Sequence, residues 1–314
     1  MARRIVLFYR DFQRFTGGHL KVWDYFNHVA AAADTEPRIA FSSRSVWDST
    51  NPWLNRKDAV VEWNPETADM LFLGGTDWRA LPASQRKSFS KPIINLIQHP
   101  RHAEPGSELR SFLSHRAIRI CVSEEVALAI RGTNEVNGPV HVIPNGVDGS
   151  CFPARPKSIS QRTTDLLICG LKAPELARDC YRHLSGGHGV VRWMIDWAPR
   201  EEFLRRMTDA KVVLLLPRPE EGFYLPALEA MGSGSVVVCP DCLGNRSFCL
   251  DGVNSFRPAY DFHQIIAATE QALRLAPPIQ EQLLESARST VSEHSLENER
   301  ARFLPILAEA AERH

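Results

Sequence analysis

Short apolar runs rich in Val, Ile, Leu and Phe recur from end to end of this 314-residue chain, with amphipathic stretches between them. That alternation is the pattern of strands joined by helices into parallel sheets, and it constrains the fold more than any other feature. In the first half the expected strands are RIVLFY, RIAFSS, ADMLFLGG, PIINLIQH, IRICVS and VHVIPN, with helices over 19–33 and 124–132. A second series begins at DLLICG and runs through a helix at 174–184, VVRWMI, the helix PREEFLRRMTDA, KVVLLLP, a helix at 225–232 and SVVVCP, then helices near 260–274 and 278–292. Between the two series, residues 145–164 are rich in Gly, Pro, Ser and Arg and lack periodicity, which reads as a linker.

The chain is longer than one hydrophobic core usually grows. The expectation is two Rossmann-like, doubly wound α/β domains with parallel sheets, one over 1–148 and one over 149–294. The segment 295–314 is expected to form a helix whose apolar face, at 303, 304, 306 and 307, packs back toward the first domain.

Composition excludes several classes. Thirty-seven basic residues balance 37 acidic ones, which argues against a general nucleic-acid binder, since that needs excess positive charge to displace counterions. No run approaches the ~20 apolar residues of a membrane span, and IVLFY is too short for a signal peptide. A cytoplasmic protein is expected. SQRKSFSK and RSFLSHRAIR raise the further possibility of a basic patch touching the inner membrane face. Seven scattered cysteines suit reduced thiols, and CPDC (Cys239, Cys242) with Cys249 lacks the fourth ligand of a zinc site. No metal or other cofactor is expected.

In open α/β sheets ligands collect beyond the carboxyl ends of strands, where helix N-termini offer free N–H groups. The polar features of this sequence occupy such positions. FTGGHLKV brings Gly17 and Gly18 to the opening of the first helix, without the spacing of a dinucleotide fingerprint. IINLIQHPRH puts His99 just past an apolar strand. PEEGFYLPALEAMGSGSV places Glu221 in a turn and Glu229 in the helix that follows, with Pro226 suited to its first turn. Carboxylates only accept hydrogen bonds, so the pair suits hydroxyl-bearing rings on either side of a phosphate: a nucleotide-sugar. Compensation of the helix dipole, worth ~0.3–1 kcal/mol, explains Glu221 equally well. At this level both readings stand.

The segment LPRPEEGFYLPALEAMGSGSVVVCPDCLGNRSFCLDGVNSF (216–256) resembles the donor site of retaining GT-B glycosyltransferases, in particular family 4 with its E-x(7)-E motif, which Glu221 and Glu229 match. TGGH, LIQHP, CVSEEV and VIPNGVD follow in the family's order, the last bringing Asn145 to the domain junction. The resemblance implies two domains facing a central cleft and transfer from a nucleoside diphosphate to a glycan or lipid-linked acceptor in polysaccharide or glycoconjugate synthesis, with retention and without metal. It assigns His99 to the reacting centre, Glu221 to the donor sugar and Glu229 to the ribose. Backbone at Gly222, Phe223 and Tyr224 is assigned to the phosphates, Leu225 and Asn145 to donor binding, Gly17 and Gly18 to the cleft wall, and Trp197 of DWAP to the nucleobase. The sequence departs from the pattern where the family carries an Arg and a Lys on the diphosphate, since Leu171 and Leu176 stand there, and Ser247 replaces an acid. Lys172 and Arg218 are the candidate substitutes. A sugar-nucleotide epimerase of the same fold and a non-catalytic nucleotide-sugar-binding subunit are the alternatives.

Overall fold

A computed structural model of the chain describes residues 3–154 and 156–312. It divides into two compact units, one running to Asn145 and resuming at Glu297, the other spanning Gly146–Leu296.

The first unit holds a parallel sheet of β1 (Arg4–Arg10), β2 (Thr35–Phe41), β3 (Met70–Gly74), β4 (Ile93–Ile97), β5 (Ile118–Cys121) and β6 (Val140–Val142) in the order β2-β1-β3-β4-β5-β6. The strands β3, β4 and β5 are buried along their whole length, Asn95 and Arg119 included, as mostly apolar strands covered on both faces are. Helix α1 (Gly17–Ala31) joins β1 to β2. The glycine pair is itself the first turn of this helix, capped by Thr16, whose hydroxyl accepts from the His19 N–H. The connections from β2 to β4 are 3₁₀ turns, and those from β4 to β6 add only α2 (Glu108–Ser111) and α3 (Glu124–Arg131).

The second unit holds β7 (Thr164–Cys169), β8 (Val191–Met194), β9 (Ala210–Leu215) and β10 (Val236–Val238), parallel and ordered β10-β9-β7-β8. Its helices are α4 (Pro174–Leu184), α5 (Arg200–Thr208), α6 (Leu225–Gly232), α7 (Phe262–Leu273) and α8 (Pro277–Glu293). Leu166, Ile168, Val212, Leu214, Val236 and Val238 form the sheet side of its core, against Ala177, Cys180 and Ile265 from the helices.

Helix α9 (Leu296–Glu312) belongs to the first unit from Glu297 onward; residues 313–314 of the expected helix lie outside the described residues. Phe303 is fully buried edge-on to Tyr25, and the Lys21 ammonium reaches Glu299 at 2.6 Å and Asp24 at 2.7 Å.

One expectation needs correction. The segment 145–164 is no free linker, Arg155 aside, which lies outside the described residues. Phe152 lies where a side chain at Gly232 would be, and the Arg162 guanidinium donates to the carbonyls of Ala210 and Ser233 and to the Ser235 hydroxyl. Three residues of the expected basic patch are engaged within the fold, while Lys87 and Arg116 are exposed. Arg119 is fully buried, capping the carbonyls of Phe112, Leu113 and His115 over the Trp78 ring, and burial lowers its pKa to about 10. Arg110 is paired with Glu135, and Lys91 is bound to the Glu66 and Ala68 carbonyls. No helix among the described residues is long and apolar enough to cross a membrane.

Candidate active site

Strand order reverses direction between β7 and β9, because the chain passes from β7 outward to β8 and returns to β9 on the other side. Loops leaving the carboxyl ends of two such strands diverge and open a crevice between them. Here the β7 loop supplies Gly170, Leu171 and Lys172, and the β9 loop supplies residues 216–224. Gly170 is required for the close approach of α4, since a Cβ there would lie 2.1 Å from that of Ala177. Lys172 Nζ crosses the crevice to Glu221 Oε1 at 3.3 Å, with the lysine side chain 49% exposed and the glutamate 16%. The cation proposed as a phosphate clamp and the first acid of the motif are therefore brought together. Arg218 is exposed on the same loop, with no ion-pair partner among the described residues.

Pro226 lies in the first turn of α6, and Tyr224 occupies its N-cap without a side-chain cap. The amides before it divide into two groups. Tyr224 N–H donates to the Gly244 carbonyl at 3.0 Å and Leu225 N–H bonds back to Phe223 at 3.2 Å, so neither is available to a phosphate. That corrects the phosphate assignment of Tyr224. The amides of Gly222 and Phe223 carry no hydrogen bond among the described residues.

The loop after β10 clamps this turn from behind. Leu243 N–H donates to the Pro219 carbonyl, and a Cβ on Gly244 would lie 2.6 Å from Phe223 N and 2.7 Å from Glu221 O. Both neighbours are backbone and cannot rotate away. Gly244→Ala is therefore expected to push the 221–224 turn outward and weaken nucleotide binding by roughly tenfold or more, while the core stays folded; two ångström-scale clashes usually cost ~1–3 kcal/mol. Unchanged affinity in calorimetric titration would show that the turn does not contact the nucleotide.

Glu229, one turn into α6, is 6% exposed. Burial pushes its carboxyl pKa up, and Arg200 pulls it back down. Arg200 Nη2 lies 2.8 Å from Glu229 Oε1. Sequence reasoning missed Arg200, although a signal was present: a cation at the first position of a helix opposes the dipole, so α5 itself gains nothing from an arginine there. Trp197, on the loop between β8 and α5, is 55% exposed, and Leu171 is 44% exposed.

In the first unit the order reverses between β1 and β3, and a second cluster sits at that point. Arg10, ending β1, binds Asp77 at 2.7 Å and reaches His19 Nδ1 at 2.9 Å. Burial raises the Asp77 pKa to about 6 and lowers that of His19 to about 3, so the imidazole is neutral and accepts through Nδ1. None of the three was singled out from the sequence. Gln98 donates to the Gly18 carbonyl at 3.2 Å, which ties the β4 end to the start of α1. A Cβ on Gly18 would meet only ordinary contacts, so packing does not require glycine there. His99 caps the 3₁₀ turn Pro100–Ala103, its Nδ1 accepting from Arg101 N–H at 3.1 Å, which leaves the proton of the neutral ring on Nε2. Asn145 is buried, with its Oδ1 unpartnered.

No group of three or more His, Cys, Asp or Glu among the described residues is placed to hold a metal ion. The seven cysteines are free thiols. Burial raises Cys242 to about 12.

No protein-family model matches the chain, and no curated protein matches it significantly. Solved structures do. Anabaena HepE in complex with UDP and glucose aligns with a TM-score of 0.75 at 13% identity, covering 98% of this chain and 100% of that one. Sucrose-phosphate synthase from Thermosynechococcus elongatus gives 0.75 at 12%, covering 99% and 100%. The α,α-trehalose 6-phosphate synthase of Burkholderia multivorans gives 0.68 at 12%, covering all of both chains. At such identities the likeness is one of fold, and the fold is GT-B.

Proposed function

We propose that this chain is a retaining glycosyltransferase that moves a sugar from a nucleoside diphosphate to an acceptor hydroxyl. One observation carries the reading: along the chain, the amides of Gly222 and Phe223, which carry no hydrogen bond among the described residues, lie between two acids, Glu221 and Glu229, each paired with its own cation. That arrangement suits a diphosphate with a hydroxyl-bearing ring on either side. The crystal complexes of HepE with UDP and with UDP-glucose, on the same fold, support it.

In this reading the diphosphate lies against the two amides and Lys172, Glu221 accepts from the donor sugar's hydroxyls, and Glu229 accepts from the ribose. The C1–O bond to the leaving phosphate breaks, the acceptor oxygen bonds to C1 on the same face, and its proton passes to the departing phosphate oxygen. Stabilising the negative charge on that leaving group is the main catalytic effect. Lys172 and the Gly222 and Phe223 amides supply it, so turnover is expected to survive chelation by EDTA. The role the resemblance gives His99, at the reacting centre, is part of this reading. The acceptor is a glycan or a lipid-linked hydroxyl, and the setting is cytoplasmic.

A thermal-shift panel of UDP, GDP, ADP, TDP and CMP identifies the base, since a bound ligand raises stability by mass action. Lys172→Ala is then expected to lower kcat roughly 10²-fold, the usual consequence of removing one preorganised charge-stabilising group. An unchanged kcat removes Lys172 from the mechanism.

The exposed Leu171, where the family carries a cation, favours one second reading: a subunit that binds the nucleotide-sugar without transferring it. Donor binding without transfer to any acceptor selects that reading. Isomerised donor formed with no acceptor present selects an epimerase instead.

A further inference from the structure

The pair between Arg200 and Glu229 joins the start of α5 to the body of α6, and neither helix needs it. At the first position of α5 a guanidinium works against the helix dipole. Its Nε is buried without a hydrogen-bond partner, so the pair does not complete the arginine's own donors either. What the contact does accomplish is on the side of the acid. Glu229 Oε1 is paired with Arg200 Nη2, while no hydrogen bond to Oε2 is seen among the described residues.

We propose that Arg200 is a positioning residue for the donor: it holds Glu229 ionised and in one orientation, so that the free carboxylate oxygen accepts from the ribose diol of a nucleoside diphosphate. The inference rests on Glu229 being the ribose ligand. An ionised carboxylate accepts from two hydroxyls, whereas a protonated one has turned half of that capacity into a donor. Arg200 opposes the upward push of burial on this carboxyl. It is the one charged group among the described residues that shifts Glu229. Helix α8 and strands β9 and β10, which also pack on α6, add none. From the 148–151 segment, Asp148 faces Arg200, and the Cys151 thiol, raised by burial, lies near both members of the pair.

Arg200 also lines an open cavity of about 770 Å³ with Cys151, Lys157, Leu204 and Arg205. Truncating it to alanine extends that cavity toward Glu229, which gives a small cation a path to the vacated position.

The experiment measures dissociation constants of UDP, GDP and ADP and of their 2′-deoxy counterparts, from mildly acidic to mildly alkaline pH. Wild type, Glu229→Ala, Arg200→Gln, Arg200→Lys and Arg200→Ala are compared. Wild type is expected to prefer the ribonucleotide by roughly ten- to hundredfold, the range of hydrogen bonds to a charged group. Arg200→Gln loses that preference at neutral pH and regains it as pH rises, since the unassisted carboxyl ionises only at higher pH. Arg200→Lys keeps most of it, and added guanidinium ion restores it in Arg200→Ala. In turnover the Arg200→Gln effect falls on donor KM and leaves kcat at saturation near wild type. A pH-independent ribonucleotide preference in Arg200→Gln, alongside its loss in Glu229→Ala, overturns the role of Arg200 alone. An undiminished preference in Glu229→Ala, or no binding of any of these nucleotides by wild type, overturns the ribose reading and the inference with it.

Discussion

Glu229→Ala is expected to reduce donor kcat/KM by roughly 10²- to 10⁴-fold, the loss of two hydrogen bonds to a charged acceptor at ~1.5–3 kcal/mol each. Nucleotide affinity falls in parallel, because the ribose contact is made in the ground state as well as in the transition state. The fold survives the change. Glu229's partner, Arg200, has a side chain 22% exposed and open to water, so the guanidinium is rehydrated when its carboxylate is removed. Kinetics at varied donor concentration, together with an unfolding curve, check both statements. A variant with normal donor kinetics removes Glu229 from the site, and one that fails to fold shows that the ion pair is structural.

The second large effect concerns stability. Lys21 is wholly buried, and its charge is balanced by Asp24 on the same helix and Glu299 on α9, with His28 3.7 Å from the latter. Lys21→Met leaves two carboxylates in an apolar setting and is expected to cost about 3–5 kcal/mol, the usual penalty for breaking a buried pair from one side. The double variant Lys21→Met/Glu299→Leu recovers part of that loss, since it removes one of the stranded charges as well as the cation. Denaturant midpoints measure both, and a single variant within the error of wild type contradicts the assignment.

The same group shapes the pH response. Glu299 and Asp24 raise the Lys21 pKa against the opposing effect of burial. A raised lysine stabilises the fold below its ordinary 10.5, and that contribution is lost as pH climbs through the raised value. Lys21 and His28 overcome burial to hold Glu299 low, so its contribution is present above 4.5 and is lost as pH falls. Asp24, raised by burial, acts in the opposite sense on the acid side.

Much of this architecture was legible in the sequence because it is local. Strand runs, the turn at 219–224 and the eight-residue step from Glu221 to Glu229 each depend on neighbours a few residues away. The groups that act on those residues were not legible, because they arrive from other elements. Arg200 reaches Glu229 from another helix, and Arg10 meets Asp77 across 67 positions. The Tyr224 amide looked available because its acceptor, the Gly244 carbonyl, belongs to a loop beyond the next strand. Residues 145–164 looked like a linker because Gly, Pro and Ser mark irregular backbone. Irregular backbone can still be packed, as Arg162 and Phe152 show.

The contact between Lys21 and Glu299 spans 278 positions. On the ribosome, where α1 emerges long before α9, the first unit therefore waits with Lys21 paired to Asp24 but not yet to Glu299 while Gly146–Leu296 is still being made. The half synthesised earlier is thus the half completed later, and α1's apolar face is what a chaperone meets in the interval.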